Sequence, residues 1–70
     1  MTTARIILLD AAYNSEQQTV DLFAVPAGIA PADVLAGWIA NQPAEDTEGN
    51  SYRCTLSTRR DEAIIESWQA

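Results

Sequence analysis

The side chains in this chain that could do chemistry are ten carboxylates, one thiol and four guanidiniums, with no histidine and no lysine. Without an imidazole there is no Ser-His or Cys-His dyad and no histidine metal ligand; without an ammonium there is no Schiff base and no P-loop. Paired carboxylates remain, and these can hydrolyse glycosides or hold a divalent cation. Asp46, Glu48 and Asn50 place oxygens two residues apart in Glu45-Asp46-Thr47-Glu48-Gly49-Asn50. That run resembles a calcium loop but lacks its glycine placement and its distal bidentate glutamate, so it reads as a solvated acidic loop. Cys54 falls on the inward side of an alternating segment, where a thiol is a small apolar group rather than a nucleophile. A chain of 70 residues has little material for a substrate cleft. The expectation is a protein that is not an enzyme, with no catalytic residue, metal or cofactor assigned.

Arg59-Arg60 could grip a phosphate bidentately, but Asp61, Glu62 and Glu66 follow closely, and two arginines supply few phosphate contacts. Charge is more informative. Ten acids against four bases give a net charge of −6, and the seven acids between Arg5 and Arg53 have no basic residue among them. They are Asp10, Glu16, Asp21, Asp33, Glu45, Asp46 and Glu48. Such a chain is repelled by phosphate, which argues against direct nucleic-acid binding, and is attracted to a basic protein surface. Those seven acids are the candidate partner-binding residues, with Tyr13 as an exposed aromatic anchor. Trp38 and Trp68 sit on the apolar sides of their segments and are expected in the core.

The elements that must position these groups are short. Residues 5–13 open on Ile6-Ile7-Leu8-Leu9, an apolar run suited to a central strand buried on both faces. Residues 14–18 form a polar break, and residues 19–25 carry Val20, Leu22, Phe23 and Val25 in a second strand, ended by Pro26 and Gly28. A two-residue turn at Ser15-Glu16 would set Asp10 against Asp21; a longer turn avoids that like-charge pair. Residues 31–42 predict a helix, with Pro31 at its first position, Asp33 in its first turn and an apolar stripe of Val34, Leu35, Trp38 and Ile39. Gly37 inside it suggests close packing on the sheet. Residues 43–51 read as an acidic loop, and residues 52–58 alternate as a strand with Tyr52, Cys54 and Leu56 inward. Thr58 to Asp61 resembles a capping box, and Ile64, Ile65 and Trp68 share a helical face, so a second helix is expected there. The alternative is a strand, which places Glu66 between Ile64 and Trp68.

The expected fold is a small α+β two-layer sandwich of order β-β-α-β-α, with a three-stranded, mainly antiparallel sheet and both helices on one face. The alternative order is β-β-α-β-β. Residues 1–70 are expected to form a single globular domain, of a size that hides only about 60% of the unfolded surface. This narrow margin leaves room for self-association. The apolar run ends at Asp10, too early for a signal peptide or a membrane span, and the lone cysteine fits a reducing cytoplasm.

With catalysis and nucleic acid set aside, the charge favours an acidic face that occupies a basic site on another protein. The alternative is a small regulatory or assembly partner whose acidity is incidental. Small, acidic, α+β and free of motifs, the chain resembles the inhibitors encoded by phages and other mobile elements, the anti-CRISPR proteins among them. The resemblance is one of class and assigns no residue. It implies a CRISPR effector or other nucleic-acid-handling complex as partner, in the cytoplasm of a bacterial host, with the guide or target channel blocked.

Overall fold

In the computed structural model, residues 2–10, 12–13 and 15–58 are described in full and residues 64–69 by their backbone. Strands β1 (Thr2–Leu9), β2 (Glu16–Val25), β3 (Ser51–Thr58) and β4 (Ile64–Gln69) form one sheet in the order β2-β1-β3-β4, every neighbouring pair antiparallel. Helix α1 (Pro31–Ala40) and the single turn α2 (Ala44–Thr47) lie between β2 and β3 in sequence. The α+β architecture, with an antiparallel sheet and the main helix against one face, is the one expected from the sequence.

The C-terminal element is a correction. Residues 64–69 form a fourth strand rather than a helix, so the order follows the alternative β-β-α-β-β with α2 added in the acidic loop. The cause is tertiary. Without β4, one side of β3 would expose a row of unpaired backbone groups, and a six-residue ladder satisfies them. Glu66 pairs with Thr55 in that ladder. Arg59 and Arg60, with the capping box proposed for them, lie outside the described residues.

Strand β1 is central and buried on both faces, as its apolar run requires. Ala4, Ile6 and Leu8 pack with Val34 and Leu35 of α1 and with Tyr52, Cys54 and Leu56 of β3 in the core. Ile7 and Leu9, on the other face, are also buried. They are covered by an ion pair that spans the strand. Arg53 of β3 stands opposite Ile7, Glu16 of β2 stands opposite Leu9, and Nη1 of Arg53 meets Oε1 of Glu16 at 3.0 Å. The arginine stem supplies apolar cover, and the side chain is itself mostly buried.

The first hairpin turns earlier than the polar break suggests. Asp10 N–H donates to Ser15 O at 2.8 Å, and Leu9 pairs with Glu16, so residues 16–18 belong to β2. Asp21 stands opposite Ile6, and the like-charge pairing with Asp10 is avoided. Register shifts leave Val20 and Gln17 without a partner on β1; such bulges twist and blunt an edge strand.

Helix α1 starts at Pro31 as expected. It has no side-chain cap, but the N–H groups of Asp33 and Val34 donate to Ala30 O. Asn41 closes it, its Nδ2 donating to Gly37 O at 3.0 Å, and Pro43 follows. Gly37 is not a point of close packing: a Cβ built there meets nothing within 4 Å among the described residues.

Candidate protein-binding surface

The topology gathers five of the seven candidate acids at one end of the sheet. Leu9 pairs with Glu16 on one side and with Ser51 on the other, so the turn after β1, the start of β2 and the approach to β3 lie together. Asp10 and Glu16 come from the hairpin; Glu45, Asp46 and Glu48 come from α2 and its exit. Tyr13, 83% exposed, stands in the same turn.

These acids are not equivalent. Asp10 builds its own turn: Oδ1 accepts from Ala12 N–H at 2.8 Å and Tyr13 N–H at 3.3 Å, and Oδ2 accepts from Gln17 Nε2. Glu16 is held by Arg53. Glu45 and Asp46 occupy the first turn of α2, Glu48 follows its end, and no partner is recorded for their carboxylates among the described residues. Asn50 ties this loop to the sheet, donating through Nδ2 to Asp46 O at 3.1 Å and Tyr52 Oη at 3.2 Å. Gly49, at φ 79°, takes the left-handed conformation that lets the chain turn into β3.

Asp21 and Asp33 are elsewhere, on the two walls of a groove between β2 and α1 with a volume of about 470 Å³. The groove follows from width. A helix is about 10 Å across with its side chains, whereas four strands spaced by about 4.8 Å span more than that. Helix α1 lies over β3, β4 and β1, which leaves the near face of β2 only partly covered. Phe23, Val25, Ile29 and Trp38 line the opening with apolar surface. Asp21 is fixed within it: Oδ2 accepts from the Trp38 indole Nε1 at 2.9 Å and Oδ1 from Leu22 N–H at 2.8 Å. The Trp38 ring meets Tyr52 edge-on, with centroids 5.2 Å apart at 62°. Trp38 is therefore half core residue and half groove wall. Sequence periodicity placed it in the stripe of α1 but gave no sign of Asp21 as its partner, which depends on β2 running beside the helix.

Cys54 is fully buried, and desolvation pushes its thiol up from the ordinary value. Since the folded state resists losing this proton, stability is undiminished at neutral pH and falls as pH rises above about 9, where the unfolded thiol ionises first. No group of metal-ligating side chains occurs among the described residues. In the same residues no helix is long and apolar enough to cross a membrane. Trp68 belongs to β4, opposite Arg53, and its expected core position falls outside the described side chains. Comparison with protein-family models, with curated proteins and with solved structures returned no match.

Proposed function

We propose that this protein is a non-enzymatic binding inhibitor whose acidic end occupies a basic, nucleic-acid-binding site on another protein or complex, as an anti-CRISPR protein would. One observation carries the reading: two separate segments that bear five carboxylates between them meet at one end of the sheet, and Arg53 is the base recorded against them among the described residues. Of the five, Glu45, Asp46 and Glu48 are available to stand where phosphates would, and exposed Tyr13 supplies an anchor at the same end. Opposite charge accelerates encounter with such a site and makes the affinity fall with salt.

The test is capture by the tagged chain from a bacterial lysate at low salt, elution with a salt gradient, and competition between the chain and the captured complex's own nucleic acid. The reading predicts a nucleic-acid-handling complex that leaves at moderate salt and is displaced by its guide or target strand. Triple reversal of Glu45, Asp46 and Glu48 to lysine should abolish capture. A captured partner that ignores both salt and these reversals would refute the inhibitor reading. It would favour the second one, an assembly partner held by apolar anchors, which the groove beside β2 supports.

A further inference from the structure

We propose that the groove between α1 and β2 is a docking site for a segment of a partner protein that presents an arginine or lysine among apolar side chains. Two features select that occupant. The lining is apolar along Phe23, Val25, Ile29 and Trp38, which calls for an apolar counterpart. Its charged groups are Asp21 and Asp33, and no base lines it among the described residues. Arg53 reaches Glu16 across the opposite face of the sheet, and Arg5 lines a separate cavity on that face with Leu22, Thr55 and Ser57.

The groove is also prepared for a cation. Asp21 is held by the Trp38 indole and by Leu22 N–H, which orients its carboxylate while leaving lone pairs for a further donor. No partner is recorded for the Asp33 carboxylate among the described residues. A guanidinium or ammonium meeting these groups gains charge-assisted hydrogen bonds. The volume of about 470 Å³ is within the range of about 300–1,000 Å³ of ligand-sized clefts. Gly37 keeps this wall open, since its position carries no side chain and faces free space. A second copy of the chain is a poor occupant, because it would bring a net charge of −6 toward an acidic groove.

This inference rests on the second reading, a partner held by apolar anchors, and names the chemistry of that contact, yet its test needs no captured partner. The ¹⁵N-labelled full chain is titrated with a short amidated peptide of alternating leucine and arginine, followed through backbone amides and the Trp38 indole resonance. Two control peptides carry glutamate for arginine or serine for leucine. The expected result is saturable shifts at Phe23, Val25, Ile29, Asp33 and the Trp38 indole, absent with glutamate and much weakened with serine. Asp33→Lys should weaken binding by at least about tenfold. Gly37→Leu, which fills the groove from the helix side, should block it, with thermal unfolding of each variant confirming a folded chain.

Shifts confined to Glu45, Asp46 and Glu48, equal binding of the serine peptide, or no shifts at all would overturn the proposal. So would concentration-dependent broadening of the groove resonances in the free chain, which would make a second copy the occupant. Failure here leaves capture through the acidic end standing, and loss of capture leaves the peptide titration standing, so the two readings fail separately.

Discussion

Strands β1 and β2 are neighbours of similar apolar content with opposite fates. In β1, Ala4, Ile6, Ile7 and Leu9 are buried, because a strand pairs on each side, α1 covers one face and the Arg53–Glu16 pair crosses the other. In β2, Leu22 is 62% exposed on the sheet face away from α1, and Phe23 and Val25 are only half-buried on the near face, because the strand has one neighbour and lies at the margin of the helix. Burial in a sheet this small is thus set by position in the strand order and by the width of one helix. The side of the molecule that the core fails to cover is where its groove lies.

The sharpest way to break this contrast is to truncate one residue on each strand. Ile6→Ala removes a fully buried side chain at the centre of the core and should cost about 2–5 kcal/mol in denaturant unfolding, enough to threaten folding of so small a domain. Ile6→Val, at about 0.5–1.5 kcal/mol, keeps the measurement accessible if the alanine variant does not fold. Leu22→Ala should change stability by no more than about 0.5 kcal/mol. Alkylation of buried Cys54 offers an independent probe, accelerating in the Ile6 variants and not in the Leu22 variant. Equal costs at the two sites would mean that the β2 face is covered in solution.

The same contrast explains how much of the fold and site was legible in the sequence. Four consecutive apolar residues specify a strand buried on both faces, and β1 is one; the alternation from Tyr52 to Leu56 specifies the inward set of β3, including Cys54. These are local patterns that the tertiary structure reinforces. The C-terminal segment is locally ambiguous, because Ile64, Ile65 and Trp68 share a helical face, and the choice of strand is made by the free edge of β3, which no local pattern reveals. For the site, composition identified the acids but could not sort them. That Asp10 folds its own turn, Glu16 closes the far face and Asp21 joins Trp38 depends on hairpin register and strand order.

Two variants at the groove sharpen the comparison at smaller amplitude. Trp38→Phe keeps an aromatic ring against Tyr52 but removes the donor to Asp21. Because the released carboxylate is near water and can be rehydrated, the expected loss is about 1 kcal/mol rather than the larger penalty of an orphaned buried charge. Gly37→Ala should act in the opposite direction, stabilising the chain by about 0.5–1 kcal/mol through helix propensity, since the added methyl meets no described neighbour. Both changes are readable as shifts in the urea midpoint at constant slope. A destabilised Gly37→Ala chain would mean that something already fills the groove.

The smallest effect should come from the ion pair over the open face. Glu16 is half exposed, with 51% of its side chain accessible, whereas Arg53 retains only 15%, so the two partners contribute by different means. Glu16→Gln removes the charge but preserves most of the side chain, and should cost less than about 0.5 kcal/mol at low salt, with the difference shrinking as salt rises. Arg53→Ala removes the stem opposite Ile7 as well as the charge and should cost more, with little dependence on salt. If Glu16→Gln proved as damaging as Arg53→Ala, the open face would be held by charge rather than by apolar cover. Burial of Ile7 and Leu9 would then be a consequence of the ion pair, and β1 would depend on its edge neighbour for half of its protection.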